Sequence, residues 1–249
     1  MFMDRLPEQA RRALERARAE KVSYAVRVVR APDGRLVAIL GEAHLKLEKA
    51  SAIGKAVVGA FELRGVETFQ RKQIFGGRLL GVVIGAPRKL LRALSLGAIK
   101  DSTIIDAKQL PSGYTVELER AKRMPFGLHV TSVYMSAYFI VALLAVIAPL
   151  FAGVAPVLVG VILFLALLFQ LHLLALIPGY FLRRRSWSWV IHPFFGILTL
   201  RDELMAAGTA RMLEDHRSEK TAVVVMGRAH VQGYERLLVE RYGFTRVEL

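Results

Sequence analysis

The sequence predicts a layered α/β (or α+β) domain interrupted by an inserted two-helix transmembrane hairpin. Three observations carry this reading. Between Arg123 and Arg183 there is no Asp, Glu, Lys or Arg. On both sides of that gap, short apolar runs rich in β-branched residues alternate with amphipathic stretches. The stretch after the gap is too short to enclose a core of its own, so it is expected to complete a sheet begun before the gap. The composition agrees: 54% of the 249 residues are hydrophobic and the mean hydropathy is +0.39, more apolar than ordinary soluble domains.

Taken in order, residues 7–21 read as a short charged helix. Residues 24–29 and 36–40 read as strands joined by Pro32-Asp33-Gly34, since Asp-Gly between apolar runs is a hairpin signal. A helix is expected over 46–53 and a further strand over 56–63. In 87–100, Leu90, Leu91, Leu94 and Ala98 recur at helical spacing, with Arg88, Lys89, Arg92 and Lys100 elsewhere around the axis. This basic amphipathic helix either packs on the domain or lies in a membrane interface. A strand over 114–119 precedes the gap.

The gap holds two spans, at about 132–152 and 157–179, each near the roughly 20 residues that a helix needs to cross a bilayer. Gly153 to Pro156 supply the turn, and helix is the open-ended structure that satisfies its own backbone in lipid. Arg120, Lys122 and Arg123 precede the first span and Arg183, Arg184 and Arg185 follow the second. The positive-inside bias then puts both ends in the cytosol, with Trp187 and Trp189 as interfacial anchors. Beyond the hairpin, helices are expected over 201–214 and 234–242 and strands over 221–226 and 245–247. The organisation is therefore 1–125, the N-terminal part of the polar domain; 126–185, the hairpin; and 186–249, the C-terminal part.

The 35 Lys and Arg against 21 Asp and Glu give a net charge of +14, which points to a polyanionic neighbour. The lipid bilayer, with its anionic leaflet, is that expected partner. Nucleic acid is not, because no binding motif for it is present. The absence of Cys excludes disulfides, thiolate metal sites and a Cys nucleophile. Residues 1–18 carry charges of both signs and no apolar core, so no cleavable signal is expected. Small residues in the hairpin, Ala152, Gly153, Ala155 and Gly160, allow close helix contact and a homo-oligomer.

The chemistry lies in a pattern used twice, Leu36-Val-Ala-Ile-Leu-Gly41-Glu42-Ala43-His44 and Thr221-Ala-Val-Val-Val-Met-Gly227-Arg228-Ala229-His230. Each apolar run ends in Gly-x-Ala-His, which puts an imidazole just past the carboxyl end of a strand, where open α/β sheets place their sites. Glycine there permits a sharp turn and close approach to a ligand. Two imidazoles with a carboxylate from Glu62, or from Glu42, meet the needs of a divalent transition metal, Mn, Co, Fe or Zn. Arg64 and Arg228 can neutralise an anionic intermediate. His129, His172, His192 and His216 have no comparable setting and read as structural or interfacial.

These residues resemble the TraB/TIKI family, within the erythromycin-esterase-like (EreA) and ChaN-like group. The matching positions are Gly41 with His44, Glu62-Leu63, and Gly227 with His230. Val225-Met-Gly-Arg-Ala-His-Val-Gln-Gly-Tyr is similar to the family's Val-Gly-x-x-His-Val-x-Gly ending, and Arg201-Asp202-Glu203-Leu204-Met205-Ala206 to its Arg-Asn/Asp-x-x-Met-Ala helix. The Glu42 position is often Thr in TraB-like members, and their usual membrane helices are C-terminal. The resemblance implies an EreA/ChaN-like fold and a membrane-tethered metal-dependent hydrolase acting on a peptide or other small acyl substrate. His44, His230 and Glu62 would hold the metal, with Glu42 or Glu62 as general base, Arg64 for the oxyanion and Arg201 as a second cation. Two other readings stay open: a non-catalytic membrane regulator that binds a peptide, haem or a partner, and a structural membrane adaptor.

Overall fold

The computed structural model describes residues 6–96, 98–110, 113–182 and 188–248. The predicted basic triplet at 183–185 and the Trp187 anchor lie outside the described residues. The fold is mixed α/β and forms two compact units. Met1–Phe69, Arg88–Ala121 and Asp202–Leu249 make the first, and Gln70–Pro87 with Lys122–Arg201 the second.

In the first unit, α1 (Glu8–Ala19) leads into β1 (Tyr24–Arg30), β2 (Leu36–Glu42), a short β3 (Leu45–Leu47), α2 (Glu48–Gly59) and β4 (Leu63–Val66). Helix α3 (Gly77–Leu94), which enters this unit at Arg88, is followed by β5 (Ile99–Asp101), which pairs with β3, then α4 (Thr103–Gln109) and β6 (Tyr114–Glu117). The Asp-Gly turn forms as expected: β1 and β2 pair from Tyr24↔Glu42 to Arg30↔Leu36, and Gly34 takes φ +88° between them. The expected strand over 56–63 is not there. Val57 and Val58 belong to α2, where with Ala50 they are buried in the same core cluster as Phe61, so core packing overrides β propensity, and the strand starts at Leu63.

The sheet has the order β6-β4-β7-β2-β1-β8, where β7 is Thr221–Gly227 and β8 Thr245–Val247. Strand β7 enters between β2 and β4, parallel to both, so residues after the hairpin complete a sheet begun before it. Both β2 and β7 are buried along their full length, as continuous aliphatic runs at the parallel centre of a mixed sheet covered on two faces require. Alternation sorts their side chains: Leu36, Ala38 and Leu40 pack with α1, α2 and α4, whereas Val37 and Ile39 pack with the C-terminal helices. In those helices, Met205, Ala206 and Met212 come from the helix Phe194–Asp215 and Tyr234 and Leu238 from the helix Val231–Tyr242. The last helix stops at Gly243 in the left-handed conformation, φ +69°.

Tyr24 is buried beside this core, and its hydroxyl donates to the Ala50 carbonyl at 2.6 Å. Burial pushes its phenol from 10.0 up to about 12. Ionisation is thus harder in the folded chain, so the stability contributed by neutral Tyr24 is full below pH 10.0 and is lost as pH rises through about 12. An alkaline unfolding titration should show a shallower loss across that window for Tyr24→Phe than for the parent; superimposable curves would contradict this.

In the second unit, α5 (Phe126–Ile147) and α6 (Pro156–His172) run antiparallel, followed by α7 (Leu176–Leu182) and α8 (Ser188–Ile191); α9 (Phe194–Asp215) begins in this unit and continues into the first from Asp202, and α10 (Val231–Tyr242) belongs to the first. Two helical segments, Phe126–Phe151 and Pro156–Phe181, are each 26 residues long and apolar enough to cross a membrane. The first begins earlier than the expected 132 and stops by 152, and the second extends slightly beyond 157–179 at both ends, because uncharged residues continue the helix there. Pro149 and Pro156 punctuate the turn: the first lies in the 3-10 turn that ends α5 and the second opens α6. The hairpin is mostly bare, only 11% and 6% of its most apolar windows being buried, with Val146, Leu150 and Val157 pointing outward. Its polar side chains face each other instead. Tyr134 Oη lies 2.6 Å from His172 Nδ1 and 3.4 Å from His192 Nε2, and Gln170 donates to Tyr138 Oη at 3.4 Å.

Candidate functional site

Parallel register brings three strand ends to one edge of the first unit's sheet. Glu42, the last residue of β2, pairs with Gly227, the last of β7, and Val66, the last of β4, pairs with Val225. The residues just beyond these ends are His44, His230 and Glu67, and α9 adds Asp202. This group of four is what the fold assembles.

His230 closes a 3-10 turn, Arg228–His230, that joins β7 to α10. Its ring is buried, 4% exposed, and bracketed by carboxylates. Nδ1 lies 2.7 Å from Asp202 Oδ1, and Nε2 lies 3.9 Å from Glu67 Oε1. A carboxylate at Asp202 accepts from a protonated Nδ1, and Nε2 is the ring nitrogen that faces Glu67. Glu67 is itself fixed by the Gly227 amide, which donates a short hydrogen bond to Oε2. His44 is exposed and reaches the same place: a methyl group built on Gly227 would lie 3.1 Å from His44 Nε2 and 3.3 Å from Glu67 Oε2.

The glycines of the two motifs serve close approach. Neither Gly41 nor Gly227 has positive φ; a Cβ on Gly41 would strike Val231 Cγ2 at 2.1 Å, and one on Gly227 would crowd His44 and Glu67. Gly233, one turn into α10, has the same origin, since its Cβ would fall 2.0 Å from Asp202 Oδ2. Gly233→Ala must therefore displace Asp202 from His230. The expected cost is about 1–3 kcal/mol of stability, read as a lowered Tm, together with reduced activity of the site; a parent-like Tm would show that the helices part without strain.

The residues named from sequence divide into three groups. His44 and His230 are brought to the same edge. Glu42 is adjacent in sequence, but its carboxylate is fully buried and committed to structure: Oε2 accepts from Lys46 Nζ and the Thr103 amide at 2.8 Å each, and Oε1 from the Ile104 amide at 2.8 Å. It caps α4 and neutralises a buried lysine. Glu62 and Arg64 lie at the opposite end of the sheet. Glu62 precedes β4, accepts from the Lys220 amide at 3.0 Å and donates its own amide to Thr221 Oγ1, so it sits where β7 begins, at the far end from Gly227. The physical reason is the misplaced strand: with β4 at Leu63–Val66, the carboxylate at its carboxyl end is Glu67. Arg64, 1% exposed, donates from Nε to the Val58 carbonyl at 3.0 Å, and burial lowers its pKa from the ordinary guanidinium value. Both residues line a separate cavity of about 450 Å³ with Tyr114 and Glu219.

Arg201 is 7% exposed on α9, immediately before Asp202. Arg228 is exposed and donates to the Val22 carbonyl at 2.9 Å. The remaining histidines have structural partners. His129 Nδ1 accepts from the Phe75 amide, His192 Nδ1 from the Phe194 amide, His172 meets Tyr134, and His216 packs on the Tyr114 ring.

Sequence reasoning passed over Glu67 and Asp202. A signal existed for Asp202, which stands in the Arg-Asp-x-x-Met-Ala string, whereas Glu67 follows the Arg-containing strand Leu63-Arg64-Gly65-Val66 and carried no comparable signal. As donors, two imidazoles and two carboxylates are chemically suited to a divalent transition metal. Among the described residues, no three His, Asp or Glu side chains are grouped so as to hold such an ion. The arrangement can hold a proton on His230 Nδ1, present Nε2 as a base or donor, and fix one carboxylate beside it. No family model, curated protein or solved structure matches the chain.

Proposed function

We propose that this protein is a membrane-tethered hydrolase of the TraB/TIKI type, with an EreA/ChaN-like polar domain, that cleaves a peptide or other small acyl substrate at the His44, Glu67, His230 and Asp202 edge of its sheet. The observation that carries the reading is the buried Asp202–His230 pair at 2.7 Å. A carboxylate on imidazole Nδ1 fixes tautomer and ring orientation, as the orienting partner does in both metal-bound and acid–base histidines. That pair also joins residues of the two strings on which the family resemblance rests, Arg201-Asp202 and Gly227 to His230, and Gly233 of the second string is the residue that admits Asp202. The hairpin supports the tether, because two bare apolar helices of 26 residues each are best covered by lipid.

In this reading Asp202 keeps the proton on His230 Nδ1, so that Nε2 can accept one from water or donate a lone pair. Glu67, held through Oε2 by the Gly227 amide, keeps Oε1 facing that atom. His44, exposed at the mouth, binds the substrate carbonyl or completes the donor set. A divalent transition metal would need His44, His230 and Glu67 to draw closer together than they stand here, and when bound it would supply a water of lowered pKa and polarise the carbonyl. Glu62 and Arg64 have no part in this chemistry. The test is hydrolysis of nitrophenyl esters and a quenched-fluorescent peptide library by protein reconstituted in liposomes, with and without added Mn, Co, Fe or Zn. Turnover that Glu67→Gln removes and Glu62→Gln keeps supports the assignment. Ligand affinity without turnover under every metal would instead favour the regulator that binds peptide or haem.

A further inference from the structure

The exposed apolar side chains of the first unit concentrate on the end of α3. Leu90, Leu91 and Leu94 are 61%, 50% and 71% exposed, and Leu96, just past the helix in the left-handed conformation with φ +50°, is 96% exposed. Val82, earlier on α3, is 59% exposed. At about 100° per residue, Val82, Leu90, Leu91 and Leu94 cover half of the helix circumference and Arg78, Lys89 and Arg92 the other side. All three cations are exposed. In solvent, a helix with this apolar half uncovered would be an anomaly.

We infer that the C-terminal half of α3 is a docking surface for an anionic membrane, with its leucines in the acyl boundary and Lys89 and Arg92 among lipid phosphates. Charge complementarity selects this occupant over a protein groove. The uncovered leucines lie opposite cations, and the whole chain carries +14, which is the pattern of helices that lie in the interfacial plane and favour acidic lipid. The inference rests on the reading that the hairpin is inserted in a bilayer. Its consequence is that α3 contacts lipid independently of the hairpin.

The chain contains no Cys, so single substitutions report single positions. Leu90→Cys, Leu94→Cys and Arg92→Cys, each carrying an environment-sensitive fluorophore, are compared with Val146→Cys on the hairpin. The full chain is reconstituted in phosphatidylcholine vesicles with or without phosphatidylglycerol, and quenching by lipids with a nitroxide on the acyl chain is read. The expected result is quenching at Leu90→Cys and Leu94→Cys about twofold stronger than at Arg92→Cys. That difference should fall by about half without phosphatidylglycerol or at high salt. Quenching at Val146→Cys with none above the Arg92→Cys level at the two leucines would overturn the inference and leave the membrane reading standing. No quenching at any position would remove both, and leucine quenching indifferent to phosphatidylglycerol and salt would overturn the role given to the cations.

Discussion

His230→Ala is expected to lower hydrolysis by about 10²–10⁴-fold, the range associated with loss of a positioned acid–base group, without unfolding the domain. The side chain is 4% exposed, but its polar contacts run to Asp202 and Glu67, and its removal takes away the atom to which the reading assigns proton or donor chemistry. Asp202→Asn separates the roles. An amide can still hydrogen-bond Nδ1, yet its NH₂ can turn toward the ring and force the proton to Nε2, the tautomer that cannot accept there. Activity should then fall in kcat with little change in KM. Turnover at the parent level in folded His230→Ala would remove the site.

Glu42→Ala is expected to be the most destabilising single change in the polar domain, with a loss of about 3–5 kcal/mol and a fall in Tm of roughly 10 °C for a chain of this size. Glu42 and Lys46 side chains are both 0% exposed, with Nζ 2.8 Å from Oε2. Removing the carboxylate leaves a buried ammonium whose neighbours among the described residues are the Ala43 carbonyl at 3.2 Å and the Tyr24 ring at 5.3 Å, and strips the Thr103 and Ile104 amides of their acceptor. Adding Lys46→Met to Glu42→Ala should recover part of the loss, because the unpaired charge accounts for much of it. A parent-like Tm for Glu42→Ala would show that the carboxylate is not the cap of α4 and would return it to the list of chemical groups.

Much of this fold could be read from the chain because its strongest signals are local. The uncharged run, the Pro32-Asp33-Gly34 turn and the aliphatic runs of β2 and β7 each have one good physical solution. The histidines followed from those runs, since a strand end fixes the loop that comes after it. Glu67 was hidden by a local ambiguity: Val57 and Val58 favour a strand, and only the core cluster they share with Ala50 and Phe61 makes them helical, which moves the strand end by several residues and exchanges Glu62 for Glu67. Asp202 was hidden by distance. It follows the hairpin, 28 positions before His230, and meets it only because β7 enters the middle of the sheet. The burial of Glu42 was equally non-local, since its partners at Thr103 and Ile104 lie 61 and 62 residues away.

The most direct measurement of the central claim is elemental analysis of the protein purified without a His tag, beside His44→Ala, His230→Ala, Glu67→Gln and Glu62→Gln. Near-stoichiometric Mn, Co, Fe or Zn is expected in the parent and in Glu62→Gln, and its loss from the other three. Metal retained in Glu67→Gln but lost from Glu62→Gln would contradict the site, and no metal in any sample after supplementation would contradict the metallohydrolase.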